Sequence, residues 1–142
     1  MQILECNVGD ERFKKTQKLL LYGTCLPDRY PEIFKQFSAE RTPVHACLED
    51  LHMDHVGYKL VNIIKYSKIK ELTILTIDGS PHCYQLHCLG QDLKRHFITE
   101  GEVKISHFVI EKGTLHEISY QAITVARHLH RVQKLLTQKN EN

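Results

Sequence analysis

Apolar residues along this chain fall into short runs separated by stretches with helical spacing. Lys18-Leu19-Leu20-Leu21-Tyr22 is a continuous apolar run closed by Gly23, the pattern of a strand buried on both faces. Pro31 to Phe37 reads as a short helix, with proline suited to its first turn and Ile33, Phe34 and Phe37 on one face. Pro43-Val44-His45-Ala46 is a second, weaker strand. Val56, Leu60, Ile63 and Ile64 then predict a helix from about Asp50 or Asp54 to Ser67, with acidic residues at its positive end. Glu71 to Ile77 is the strongest strand, β-branched and closed by Asp78-Gly79.

Ser80 and Pro81 supply an N-cap and a first helical residue for a helix running to about Phe97. Val103 to Ile110 is a fourth strand, turned at Lys112-Gly113 into a hairpin partner, Thr114 to Ile118. Ser119 caps a final helix with an apolar stripe of Ala122, Val125, Ala126, Leu129, Val132 and Leu136. Strands alternating with helices predict an α/β fold: an open, mostly parallel sheet of four or five strands, helices on both faces, and an antiparallel edge hairpin. A thioredoxin-like arrangement fits less well, because three strand–helix units precede the hairpin. Residues 1–142 read as one α/β domain, with 1–16 an arm or short helix and Thr137 to Asn142 a polar tail.

Composition narrows the functional classes. The chain has 142 residues, of which 42% are hydrophobic and 25% charged, the balance of an ordinary globular domain. Nineteen Lys and Arg against seventeen Asp and Glu leave a net charge of +2, which gives no electrostatic case for nucleic acid or an anionic membrane. The absence of a long apolar run predicts no membrane span, and residues 1–10 lack the pattern of a secretory signal. The expected location is the cytoplasm.

Five cysteines and ten histidines are the compositional oddity. Cys25, Cys47 and Cys83 each follow one of the first three strands. In an open parallel sheet those strand ends share one edge, so three cysteines distant in sequence are expected to converge on one crevice. Cys83 falls in the first turn of its helix, where the dipole favours thiolate and is expected to lower its pKa. His87 follows one turn later on the same face. Cys88 faces elsewhere and reads as core, and Cys6 has no determined place. His52 and His55 have a common metal-ligand spacing, with Asp50 and Asp54 available to orient them, but a polar loop before a helix start rich in acids is the favoured reading.

Three functional classes follow from these residues. Cys25, Cys47 and Cys83 suit a zinc ion or an iron–sulfur cluster, since thiolates select soft metals. Cys83 with His87 or His82 as base suits a thiol enzyme or redox sensor, with Cys47 or Cys25 as resolving thiol. Packing cysteines suit a non-catalytic interaction domain. No nucleotide cofactor is expected, because neither a dinucleotide-binding glycine pattern nor a phosphate-binding loop is present, and no Cys-x-x-Cys occurs. A homodimer is expected on the general frequency of two-fold assemblies.

The stretch Ile74-Leu75-Thr76-Ile77-Asp78-Gly79-Ser80-Pro81-His82-Cys83 resembles a group of small conserved proteins of anaerobic archaea and bacteria, which adds a fold expectation and no function. It is also faintly similar to the iron–sulfur domain of the methyl-viologen-reducing hydrogenase delta subunit. That second resemblance spans Leu19 to His87. It implies an iron–sulfur cluster, electron transfer to a redox protein partner, and Cys25, Cys47 and Cys83 at the positions of that domain's loop cysteines. The departure is that the domain's first and third loops carry cysteine pairs, where this chain has one cysteine in each.

Overall fold

The computed structural model describes residues 1–141. One five-stranded sheet is built from β1 (Lys18–Gly23), β2 (Thr42–Ala46), β3 (Glu71–Ile77), β4 (Lys104–Glu111) and β5 (Thr114–Ile118), in the order β2-β1-β3-β4-β5. The first three pairings are parallel and β4–β5 is antiparallel. The expected α/β sheet and its edge hairpin are therefore present.

Helices cover both faces. Between β1 and β2 the chain forms α2 (Leu26–Arg29) and α3 (Pro31–Ser38), whose Leu26, Ile33, Phe34 and Phe37 pack on Leu20, Tyr22, Leu75 and Ile110. The opposite face is larger. There α1 (Glu11–Thr16), α4 (Met53–Tyr66) and α5 (Pro81–Asp92) bury Phe13, Val56, Leu60, Ile63, Leu86 and Leu89 on Leu19, Leu21, Val44, Leu72 and Ile74. Period-2 alternation along each strand divides these two sets.

The crossover from β1 to β2 runs over one face, whereas the crossover from β2 to β3 returns past β1 over the other. The winding reverses between β1 and β3, which opens a crevice beyond their carboxyl ends.

Three elements differ from the sequence reading. The first sixteen residues are an integral part of the core, with Ile3 and Phe13 fully buried, because a 3-10 turn (Ile3–Glu5) and α1 close the wide face beside β2. The N-terminus also lines the outer edge of β2: Gln2 bridges His45, and the His45 N–H donates to the Met1 carbonyl at 3.0 Å. The final helix is broken into α6 (Tyr120–Ala126) and α7 (Leu129–Glu141) at Arg127 and His128. Arg127 keeps a helical backbone, its N–H donating to the Ile123 carbonyl at 3.3 Å, and its side chain ties this end of α6 to the Cys88 carbonyl (3.1 Å) and Asp92 (3.0 Å). Most of the expected polar tail is thus the last turn and a half of α7, and Asn142 lies outside the described residues. The expected apolar stripe divides at the break: Ala122 and Ala126 border a cavity beside Val109 and Ile118 of the sheet, with Ile123 buried, whereas Leu129, Leu135 and Leu136 are exposed.

Against the sheet, α5 packs closely at Gly90. A Cβ there would stand well inside van der Waals contact of Ile74 Cδ1 and 2.9 Å from His107 Cε1. Beyond Asp92 the helix widens into a π-helical turn, Leu93–Phe97.

Candidate functional site

Three loops meet where the winding reverses. Thr24-Cys25 follows β1, Cys47 to Asp50 follows β2, and Asp78 to Cys83 follows β3. Together they line a crevice of about 700 Å³ into which Cys25, Cys47 and Cys83 all open. Parallel strands deliver three residues far apart in sequence to one place because their carboxyl ends are in register. Cys25 is exposed, and Cys47 and Cys83 are half-buried. Asp28, Arg29, Glu49, Asp50 and His82 share the lining.

Local sequence explains how Cys83 is held. Ser80 caps α5, its hydroxyl accepting from the His82 N–H at 3.2 Å, and Pro81 fixes the first turn. Gly79 takes φ +112°, a conformation an L-residue adopts only under strain, and this turns the chain from β3 into the helix. Gly79→Ala is expected to cost about 1 kcal/mol in urea denaturation, with no steric component because nothing lies within 4 Å of a Cβ there. The thiol rests against the end of β1, where a Cβ on Gly23 would stand 3.8 Å from Cys83 Sγ.

Two electrostatic findings revise the expectations for this cysteine. Its pKa is raised, not lowered: burial outweighs the Ser80 and Ile77 hydrogen bonds, and the neighbouring Cys25 and Cys47 push in the same upward direction. His87 is buried, with Nε2 2.8 Å from Thr76 Oγ1 and Nδ1 2.9 Å from His107 Nδ1. Both of its ring nitrogens are thereby engaged, neither by Cys83. It borders a separate cavity of about 160 Å³ that Cys83 also touches.

The remaining candidates fall elsewhere. His52 and His55 stand at the start of α4 with ring centroids 5.1 Å apart, outside the lining of the cysteine crevice. Cys6 is buried in the wide core, its thiol donating to the Ile3 carbonyl, and does not complete a set with the other three. Cys88 is buried, as its position on α5 predicted. Among the described residues no three His, Cys, Asp or Glu side chains stand close enough together to hold a metal ion. Sequence reasoning missed Asp28 and Arg29, because α2 is a single turn; Pro27 directly after Cys25-Leu26 was the available signal.

No described helix is long and apolar enough to cross a membrane. Neither the curated proteins nor the solved structures provide a match to this chain. Nothing in the comparisons supports the likeness to the hydrogenase delta subunit. A family model described as a Rossmann-like domain matches residues 12–142, all but the first eleven residues, and the chain belongs to that family.

Proposed function

We propose that this chain binds a soft metal, as zinc or an iron–sulfur cluster, through Cys25, Cys47 and Cys83. One observation carries the reading: three successive strand-to-helix loops each present one free thiol to the same crevice. Thiolates gathered in one place repel one another, and a soft cation turns that repulsion into ligation. The thiols are not preassembled, so binding draws the loops inward, with Cys25 on its exposed turn moving furthest. A fourth ligand comes from solvent, a partner or a side chain of the same crevice, such as His82 or Asp50. With a cluster the site serves electron transfer to a protein partner.

The alternative, a thiol enzyme using Cys83 and His87, has less support. Burial favours the protonated thiol, and the imidazole is bonded to Thr76 and His107.

The test is metal content and the absorption spectrum of protein purified anaerobically, then of protein reconstituted with iron and sulfide or with zinc. One centre per chain is expected, lost in Cys83→Ser and in Cys25→Ser and kept in Cys88→Ser. Protein that takes up no metal under reconstitution, or a Cys83→Ser variant that binds as the parent does, overturns the reading.

A further inference from the structure

Among the described residues two uncovered apolar surfaces stand out, and they are complementary. The first is a groove of about 650 Å³ between α4 and the α5 end, floored by Met53, Val61, Leu89 and Leu93. Tyr58 and Phe97 stand at its rim, 76% and 55% exposed. Large exposed aromatics beside an apolar floor mark a surface that something covers. The charged residues that line it, Asp54 and Asp92, are both acidic.

The second surface is α7. Thirteen residues make a helix about 20 Å long, and it leaves the body of the protein after Arg127. Val132 is half-buried; Leu129, Leu135 and Leu136 are 81%, 56% and 51% exposed. Positions 129, 132, 135 and 136 share one side of a helix, so this is an amphipathic face without a floor beneath it. Helices of this length gain most of their stability from tertiary packing of such a face, and α7 packs chiefly on α6. Arg131 borders this stripe, and Lys139 continues its line one turn beyond Leu135 and Leu136.

We propose that α7 of one chain docks in the α4–α5 groove of a second copy, reciprocally, to form a two-fold dimer. An apolar groove with acidic walls fits an apolar stripe flanked by bases, and the same chain carries both halves. Asp92 is already paired with Arg127 of its own chain at 3.0 Å, directly before α7 begins. Asp54 is therefore the carboxylate left to meet the incoming bases. A two-fold axis makes each contact twice, which is how small patches reach the roughly 1,200–2,000 Å² of a stable interface.

Sedimentation velocity of the full chain over a wide concentration range tests this. Wild type is expected to dimerise. Leu129→Glu/Leu136→Glu and Tyr58→Glu/Phe97→Glu, all at exposed positions, are expected to be folded monomers by circular dichroism. Mixing those two variants is expected to restore a heterodimer, because one chain keeps its groove and the other its helix. Asp54→Lys weakens the dimer, and adding Arg131→Glu, which borders the apolar stripe, recovers it. A wild type that stays monomeric overturns the proposal and leaves the surfaces to a different partner. A dimer that survives both double variants overturns it by placing the interface elsewhere.

Discussion

As pH falls from about 6.5 to 4, the protein is expected to lose stability steeply, before its carboxylates dominate the response. His87 and His107 are the cause. Burial pushes the His87 pKa down to about 3, with His107 adding to the effect, and burial with nearby Lys94 pushes His107 down to about 4. In the unfolded chain both rings bind protons near 6.5. Through that window the unfolded state therefore holds more protons than the folded one, so stability is complete above about 6.5 and is lost as pH falls. Each ring contributes up to about 1.4 kcal/mol per pH unit. The geometry fits neutral rings, since a single proton between the two Nδ1 atoms makes one ring donor and the other acceptor. A second proton would set N–H against N–H. Asp10, held down to about 2 by Arg12, acts only at lower pH. Urea denaturation at several pH values checks this. The slope should flatten in His87→Leu/His107→Leu, where replacing both partners leaves neither ring orphaned. A wild-type profile level through that window contradicts the neutral buried pair.

Gly90→Leu is expected to cost about 3 kcal/mol or more, a large part of a marginally stable domain's total. Even the first carbon collides with Ile74 and with the His107 ring. Neither neighbour yields cheaply. Ile74 is fully buried in the wide core, and the His107 ring is fixed by its bond to His87. A leucine improves helix propensity by roughly 1 kcal/mol over glycine, so propensity pulls the other way and loses. Thermal unfolding of the variant measures the difference, and a melting temperature equal to wild type would mean that α5 can lift off β3 freely.

The fold was legible because its signals are local. β3 spans the residues its β-branched run marked, and the Ser80-Pro81 start of α5 is a cap whose chemistry depends on three adjacent residues. The crevice was legible at one remove: strand ends gave the edge, and the edge gave the convergence of Cys25, Cys47 and Cys83. What stayed hidden depends on residues distant in sequence. Nothing near Arg127 marks the break that follows it, and its side-chain bonds to Asp92 and the Cys88 carbonyl join residues far away in sequence. Periodicity alone therefore predicts one continuous helix with one apolar stripe. The direction of the Cys83 shift was hidden for a related reason. The helix start is written locally, but the thiol is half-buried against the end of β1, with Cys25 and Cys47 from other loops beside it.

Strand β1 pairs with β2 on one edge and with β3 on the other, and β3 begins only at residue 71. While the chain emerges from the ribosome, β1 can therefore acquire its outer neighbour long before its inner one. The nascent half carries Leu19, Leu20 and Leu21 along an open hydrogen-bonding edge until β3 arrives. Synthesis at about 5–20 residues per second makes that exposure last seconds, a window in which a chaperone shields the edge or a neighbouring chain pairs with it.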